Sequence, residues 1–412
     1  MNATKQKMAL VLSGGGARGA YEAGVLYHIR QSILKNRHGF DIHSGTSAGA
    51  LNTCFLGSSA HEPATQGIKL RKIWENLNSS NVYRGDFGAI SNFVLRITGY
   101  TASHLFGLAG LMKKIGPFRG ILDTAPFIPF LKKCVDWNRL EQNLHEGFYS
   151  AAAIAVTNIG NGKLELFINK RPEVEYTGAY RIHLGPIRWY HALASAAVPI
   201  IFPPVNIEHY YYVDGSLRQN TPMSPAVQLG ADKVFIIGVR HNPPTELSGG
   251  FPFGEETAQP TFTHLAGKLL NTVFLDHIQY DMEQMARINR VIEWSEKLYG
   301  PDYLEKLNAM LKSEGIRGDI ANRGLKKIEP FSIAPSENIG HIATEHLRRL
   351  SKKKGKLAQV ERFFLRFLEI DPKADLDLLS YLMFSRDYLN DLIDLGIRDA
   401  KAHEESIARF LS

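Results

Sequence analysis

The 412-residue chain contains only two cysteines, Cys54 and Cys134. Two cysteines cannot form a disulfide framework, which excludes the class of small disulfide-stapled secreted domains and indicates a reducing compartment. The apolar run at residues 8–12 is too short for a secretory signal peptide. Within the apolar segment 87–121, the longest uncharged run, residues 97–112, is shorter than the about 20 residues that a membrane-spanning helix needs. We therefore predict a cytoplasmic protein without a signal peptide or transmembrane helix.

Internal repeats and low-complexity segments are also lacking, and the composition is that of a globular protein. Hydrophobic residues make up 44% of the chain and charged residues 22%, values that permit a large buried core. The formal net charge is +7. A basic balance of this size indicates attraction to an anionic membrane surface or to nucleic acid. Of these two partners we predict the membrane surface and no nucleic acid.

A glycine-rich turn follows the apolar run directly, with the sequence Ser-Gly-Gly-Gly-Ala-Arg-Gly at residues 13–19. After it, apolar residues recur every four positions, which predicts an amphipathic helix; they are Tyr21, Val25, Ile29 and Ile33. The backbone N–H groups of Gly14, Gly15 and Gly16 would lie at the start of this helix with no side chains in the way. Such donors stabilise an anion.

A second turn, Gly-Thr-Ser-Ala-Gly at residues 45–49, follows another short extended run. Gly-x-Ser-x-Gly is the pattern of a nucleophile elbow, in which Gly45 and Gly49 allow the chain to fold sharply under Ser47. Two strand-turn-helix units side by side place both turns at the carboxyl edge of a parallel sheet. A serine nucleophile beside an anion site is the minimum apparatus for acyl transfer.

The first turn has a rival interpretation, because its glycines also satisfy the dinucleotide-binding pattern Gly-x-Gly-x-x-Gly. Asp41 lies at about the spacing at which that motif places a ribose-binding acid. Against this alternative, Arg18 would crowd the pyrophosphate, and the nucleophile elbow follows at once. A phosphate-binding P-loop is excluded because no Gly-Lys-Ser/Thr closes the run.

The rest of the chain alternates between predicted strands and helices. A hairpin is predicted around Asn161-Gly162, from residues 151–157 and 163–169. A small-residue helix at 191–197 precedes an extended run, and an aromatic strand at 210–213 ends at Asp214. Further strands are predicted at 233–239 and, as an edge strand bracketed by prolines, at 327–334. Residues 262–320 and 338–412 are predicted to be mostly helical.

Ser47 needs a base within hydrogen-bond reach before it can attack a substrate. Three histidines lie nearest to predicted strand ends, and any of them would give a Ser-His-Asp triad; they are His191, His209 and His241. Asp214 is better placed, since Gly215 allows a tight turn and close approach of another backbone. An Asp-Gly pair after a strand is also an ordinary turn, so spacing alone leaves the base open.

Four motifs in order resemble the patatin-like phospholipase family: the glycine turn, the elbow, Ala-Ser-Ala-Ala-Val-Pro at 194–199 with Phe-Pro-Pro at 202–204, and Asp214-Gly215. The resemblance covers about the first 240 residues. It implies a Ser-Asp dyad without histidine, with Ser47 as nucleophile and Asp214 as base. It also implies an oxyanion loop of Gly14, Gly15 and Gly16, and hydrolysis of acyl esters in phospholipid or lysophospholipid. Ser216 stands where the family usually has Gly or Ala.

The dyad requires a stronger base than free aspartate, whose pKa is about 3.9. We expect the apolar surroundings of Asp214 to raise its pKa, and the glycine N–H groups to stabilise the oxyanion. Arg18 has two open interpretations: it binds a phosphate headgroup, or it braces the glycine loop. No metal or organic cofactor is predicted. The alternative to an enzyme is a non-catalytic lipid-binding or NAD-binding protein.

The predicted architecture is an α/β fold, with a mainly parallel sheet between helices and a helical C-terminal extension. We place the catalytic core at residues 1–240, and the extension, packed on the core, at 241–412. Membrane contact is predicted through the apolar, glycine-hinged segment 87–121 and the basic run 348–354. Buried helices and a solvated helix face, respectively, are the alternatives for these segments.

Overall fold

The structure is a computed structural model that describes residues 6–85, 120–241, 278–313, 325–352 and 377–412. Its strands are β1 Met8–Leu12, β2 Ile42–Thr46, β3 Arg84–Gly85, β4 Leu122–Asp123, β5 Ala151–Asn158, β6 Leu164–Lys170, β7 Arg181–Leu184, β8 Val205–Ile207, β9 Tyr210–Asp214, β10 Lys233–Ile237 and β11 Glu329–Ile333.

The helices in these residues are α1 Gly19–His28, α2 Ala48–Ser58, α3 Pro63–Glu75, α4 Ser79–Val82, α5 Phe127–Cys134, α6 Trp137–His145, α7 Trp189–Ser195, α8 Met223–Gln228, α9 Ile278–Tyr299, α10 Tyr303–Ser313, α11 Ile339–Lys352, α12 Asp377–Leu382, α13 Arg386–Ala402 and α14 Glu404–Phe410. Short 3₁₀-helices cover Gly16–Arg18 and Gly215–Leu217, and Ile29–Leu34 continues α1 as a π-helix.

Nine of the described strands form one sheet, with the order β11-β10-β1-β2-β5-β6-β7. Its first five strands are parallel to one another. β6 returns antiparallel beside β5, while β9 also pairs with β5 and carries β8 on its other side. The predicted mainly parallel sheet, the β5–β6 hairpin and the edge strand β11 are confirmed. The carboxyl ends of β1, β2 and β10 lie together at one edge, which we call the carboxyl edge.

The sheet separates two apolar cores because successive strand residues point to opposite faces. On β1, Leu10 and Leu12 join the core that includes α1, α2 and α13, whereas Ala9 and Val11 join the core under α8 and α9. Helices therefore cover both faces, as the continuously buried sequence of β1 requires.

The prediction that α1 is amphipathic, with a solvent-facing side, is wrong. Every residue of α1 except Tyr27 is buried, because neighbouring helices cover its polar positions as well as its apolar ones. The Asn52 amide of α2 donates to the Glu22 carboxylate over 2.8 Å. α1 and α13 approach closely through glycines. A Cβ at Gly24 would overlap the Ile393 carbonyl oxygen, and one at Gly396 would overlap that of Tyr21.

Residues on both sides of position 240 contribute to the same sheet, since β11 pairs with β10 in parallel. The division into 1–240 and 241–412 stays a prediction. Among the described residues, no helix combines the length and apolar character needed to cross a membrane. The segment 87–121 lies outside these residues except for positions 120 and 121, as do positions 353–354 of the basic run.

Candidate active site

Ser47 lies between the end of β2 and the start of α2, at the carboxyl edge. Its backbone has φ 54° and ψ −121°, a region that residues other than glycine rarely adopt and that costs of order 1–3 kcal/mol. The same strained turn defines a nucleophile elbow. Gly45 and Gly49 make it possible: a Cβ at Gly45 would overlap the Gly49 carbonyl oxygen, and one at Gly49 would overlap that of Leu12.

The last residue of α7, Ser195, and the nearby Ala197 each contact the backbone of a predicted catalytic residue. The Ser47 N–H donates to Ser195 Oγ over 2.9 Å, and this hydroxyl donates in turn to the Ala155 carbonyl of β5 over 2.7 Å. The Asp214 N–H donates to the Ala197 carbonyl over 2.9 Å. One short segment thus fixes the backbone of the elbow relative to the end of β9.

Replacing Ser195 by alanine should reduce turnover as well as stability. The buried Ser47 N–H would lose its acceptor, which costs about 1–3 kcal/mol of unfolding free energy. Because the strained turn would also relax, we expect kcat for a soluble ester to fall about 10- to 100-fold with little change in KM. Steady-state kinetics and urea unfolding measure both quantities.

The matched control is Ser59→Ala, which removes another buried hydroxyl that donates to a backbone carbonyl, that of Phe55. This variant should lose stability and keep kcat. If Ser195→Ala behaves in the same way, Ser195 has a structural role only.

Asp214 ends β9 and is fully buried. Its Oδ1 accepts the Ser216 N–H over 2.8 Å, while Oδ2 has no hydrogen-bond partner among the residues that the structure describes. Burial raises the pKa of Asp214 from 3.8 to about 6, against a lowering effect of the neighbouring Ser47 hydroxyl and of Ser216. The expected rise of this pKa is confirmed. A carboxylate with a free oxygen and raised proton affinity beside a serine hydroxyl is suited to accept a proton.

The glycine loop lies against the elbow, and an ideal Cβ at Gly14 would be 3.2 Å from Ser47 Cβ. The Gly14 N–H donates to the Asn220 carbonyl over 2.9 Å and is therefore not available to a ligand. Within the described residues, the N–H groups of Gly15 and Gly16 have no acceptor. The expectation that three glycine N–H groups are available is therefore wrong for Gly14. The N–H groups of Gly15 and Gly16 remain, at the start of the helical segment that leads into α1.

Arg18 is buried and connects the glycine loop to Ser380 and Tyr381. Its Nε and Nη2 donate to Ser380 Oγ over 2.7 and 2.5 Å, and its guanidinium carbon lies 3.9 Å from the centre of the Tyr381 ring. The carbonyl of Tyr381 also occupies the space where a Gly16 side chain would lie, and Gly16 has φ 54°. Of the two open interpretations of Arg18, the structure favours bracing, with partners supplied by α12.

Several polar residues around the site were assigned no role from the sequence. Asn220 Oδ1 and Ser216 Oγ are buried, have no hydrogen-bond partner within the described ranges, and face Gly14. Ser195 was visible only as part of a motif, and Ser380 only as part of a C-terminal helix. No local pattern distinguishes a serine that accepts a distant N–H from one that caps a turn.

Neither Ser47 nor Asp214 forms a hydrogen bond with a histidine in the part of the chain that the structure describes. His191 stacks on Phe167 with ring centres 4.0 Å apart and accepts the Arg188 N–H. His241 contacts the Pro335 carbonyl, and His209 lies in the exposed β8–β9 turn. The contacts of these three histidines therefore give no support to a Ser-His-Asp triad.

The position of Asp41 argues against the dinucleotide-binding alternative. Asp41 Oδ2 accepts the N–H of Met8, the first residue of β1, over 2.9 Å. This places Asp41 at the amino edge of the sheet, about 16 Å from the glycine loop at about 3.3 Å per strand residue. Across the described ranges, no group of three or more His, Cys, Asp and Glu side chains is arranged to hold a metal ion.

An α/β sheet with a strained serine at its carboxyl edge, beside a glycine loop, defines the class of protein. The sequence profile described as "Patatin-like phospholipase" matches residues 10–227, more than half of the chain. The chain belongs to the patatin-like phospholipase family.

Two relatives illustrate how distant known members are. "Lysophospholipase nte1" of Aspergillus terreus is 23% identical over 345 residues, which are 75% of this chain but 18% of that protein. "Probable lipid hydrolase 463L" of Invertebrate iridescent virus 6 is 26% identical over 231 residues, 54% of this chain and 64% of that protein. The chain therefore spans less than a fifth of the length of the fungal relative.

Two solved structures are similar at low identity. VipD from Legionella pneumophila has a TM-score of 0.28 and 15% identity, over 95% of this chain and 67% of that one. Human GIVD cytosolic phospholipase A2, in complex with methyl γ-linolenyl fluorophosphonate, has a TM-score of 0.38 and 11% identity, over 98% and 59%. At such TM-scores these likenesses carry no weight for function.

Proposed function

We propose that the protein is a serine acyl hydrolase of the phospholipase A or lysophospholipase type, which cleaves carboxylic esters of membrane lipids. The observation that carries this proposal is the site geometry. A strained Ser47 lies beside a buried Asp214, and among the described residues one Asp214 carboxylate oxygen and two neighbouring glycine N–H groups have no hydrogen-bond partner. The family and the names of its relatives support a lipid ester as substrate.

In the proposed reaction, Ser47 Oγ attacks the ester carbonyl carbon while Asp214 accepts the hydroxyl proton. The N–H groups of Gly15 and Gly16 stabilise the oxyanion of the tetrahedral intermediate. Collapse breaks the ester bond, and the departing glycerol-side oxygen takes the proton from Asp214. Water, activated by the same carboxylate, then hydrolyses the acyl-serine and releases the fatty acid.

The test is hydrolysis of two substrates by the full chain, a soluble p-nitrophenyl ester and lysophosphatidylcholine in micelles. We expect release of p-nitrophenol from the first and of free fatty acid from the second. A protein that binds lysophosphatidylcholine without hydrolysing either ester would be a non-catalytic lipid-binding protein, and the proposal would be wrong.

The pH dependence of kcat/KM should report the carboxylate. Because Asp214 acts as a base only when ionised, and its pKa is about 6, kcat/KM on the soluble ester should rise with pH and level off above about 7. Below about pH 5 it should fall about tenfold per pH unit. A profile measured across this range in one buffer series tests the expectation.

His191 offers a control for this profile. Burial lowers the pKa of His191 to about 3. Its titration therefore does not account for a fall in kcat/KM near pH 6. His191→Gln should therefore leave the apparent pKa in place. If the fall in kcat/KM at low pH shifts or disappears in this variant, His191 rather than Asp214 would be the base.

The proposed cellular setting is the cytoplasmic face of a membrane, with peripheral attachment and no metal or organic cofactor. The net charge of +7 supports attraction to anionic lipid.

A further inference from the structure

In the described part of the chain, large apolar side chains are exposed at both ends of β9 and at the end of β5. We call this surface the tyrosine rim; it consists of Ile159, Tyr210, Tyr211 and Leu217, which are 49%, 46%, 55% and 37% exposed. Single exposed apolar residues are ordinary on a soluble protein, but a cluster at a functional edge indicates an interaction surface.

The register of β9 places the rim outside the carboxyl edge. β9 runs antiparallel to β5, with Asp214 opposite Val156 and Tyr212 opposite Asn158. The Ile159 N–H continues this pairing by donating to the Tyr211 carbonyl over 2.9 Å. β9 therefore begins in solvent and runs inward to Asp214. At about 3.3 Å per residue, Tyr210 lies about 13 Å farther out than Asp214 along the strand.

The turn before β9 holds the two tyrosines in place. β8 and β9 are joined by Glu208 and His209 alone, with φ values of 49° and 73°. Positive φ at both central residues is the pattern of a type I′ hairpin turn, which normally uses Asn-Gly or Gly-Gly. Strain at two residues that are not glycine is typical of functional segments. Tyr210 and Tyr211 of the rim follow this turn directly.

Two arginines flank the rim. The Arg181 guanidinium lies 5.5 Å from the centre of the Tyr210 ring, and its side chain is half exposed. Arg218, next to Leu217, is exposed and donates from Nε to the Gly162 carbonyl over 2.7 Å. Aromatic rings with adjacent cations are the composition that proteins present to the interface of an anionic bilayer, where tyrosines sit at headgroup level.

We propose that the tyrosine rim docks on the surface of an anionic lipid bilayer, with Arg181 and Arg218 at the headgroups. This orientation would turn the carboxyl edge, and Ser47 with it, toward the membrane. The choice of a bilayer rests on the proposed function, whereas docking itself requires no hydrolysis.

The test is flotation of the full chain with vesicles of phosphatidylcholine containing about one-third phosphatidylglycerol. Replacing both tyrosines, as Tyr210→Ser with Tyr211→Ser, should weaken vesicle partitioning about 100-fold, about tenfold for each ring. Arg218→Gln should weaken it about fivefold at low salt, and this difference should shrink at about 0.5 M NaCl. Melting curves verify that each variant is folded. A Ser47→Ala background keeps the lipid intact.

The matched control lies on α9, where Trp294 and Leu298 are 65% and 73% exposed. The Asn289 amide donates to the Ile328 carbonyl just before β11, so this part of α9 lies at the amino edge, away from Ser47. Trp294→Ser with Leu298→Ser should leave partitioning unchanged, although it removes more exposed apolar surface than the rim variant does.

Equal partitioning of the rim variant and the wild type, equal losses in rim and α9 variants, or no vesicle binding by the wild type would each overturn the proposal. A concentration-dependent dimer in sedimentation that the rim substitutions abolish, without vesicle binding, would assign the surface to a second copy instead. Flotation and ester hydrolysis are separate readouts. An inactive protein that still floats through its rim would contradict the proposed function alone.

Discussion

Replacing Ser47 by alanine should remove ester hydrolysis while leaving a folded protein. Loss of a nucleophile from such sites reduces kcat by about 10⁴- to 10⁶-fold. Alanine keeps the Cβ, and the backbone contacts of the elbow do not involve the lost hydroxyl, because the Ser47 N–H donates to Ser195. The measurements are p-nitrophenyl ester hydrolysis and far-UV circular dichroism.

Ser58→Ala is the matched control, since Ser58 lies at the other end of α2 and its hydroxyl donates to the nearby Phe55 carbonyl. This variant should hydrolyse esters at the wild-type rate. Activity of Ser47→Ala within about tenfold of the wild type would rule out Ser47 as the nucleophile.

Asp214→Asn should have opposite effects on activity and stability. Asparagine keeps the shape and Oδ1, which accepts the Ser216 N–H, but it cannot accept the Ser47 proton. Loss of a general base reduces kcat/KM by about 10²- to 10⁴-fold. The same substitution removes a buried charge, so we expect the free energy of unfolding to rise at neutral and alkaline pH.

The sign of the stability effect follows from the raised pKa of Asp214. Below about pH 3 the carboxyl is protonated in both folded and unfolded chains, so it contributes no difference. As the pH rises from about 3 to 6 the unfolded chain releases the proton first, because its carboxyl has the lower pKa. Above about pH 6 this penalises the folded state by up to about 3 kcal/mol.

Urea unfolding at about pH 8 and about pH 3 measures this effect. The stabilisation of Asp214→Asn should appear at about pH 8 and vanish at about pH 3. A variant that is destabilised at about pH 8 but not at low pH would indicate that favourable contacts hold the ionised carboxylate, contrary to the burial that raises its pKa.

The sequence predicted the sheet well because its signals are local. A continuous apolar run such as β1, the turn pair Asn161-Gly162 and the proline-bracketed edge strand β11 each determine their own conformation. The two glycine turns could also be located from sequence, since each must follow a parallel strand and precede a helix. Both therefore lie at one edge of the sheet.

Long-range contacts account for what the sequence did not predict. The burial of α1 depends on α13, about 370 residues away along the chain, and so its local pattern suggested a solvent face. The loss of the Gly14 N–H to Asn220 and the bracing of Arg18 by Ser380 likewise connect residues far apart in sequence. Neither leaves a periodic pattern.

The proposed tyrosine rim lies outside both segments that the sequence predicted for membrane contact. Apolar content with a basic flank favoured 87–121 and 348–354, but the tyrosine rim has no such run. Its exposed rings belong to a strand whose next residue, Tyr212, is buried. Only the pairing of β9 with β5 shows which end of this strand faces solvent.

The most direct test of the Ser47–Asp214 site is reaction of the full chain with a fluorophosphonate probe, followed by mass spectrometric mapping of the modified residue. A fluorophosphonate reacts with an activated serine hydroxyl and with few other groups. We expect a single phosphonylated peptide modified at Ser47, with labelling slowed at least about 100-fold in Asp214→Asn. A label on another serine, or none on a folded protein, would contradict the assignment.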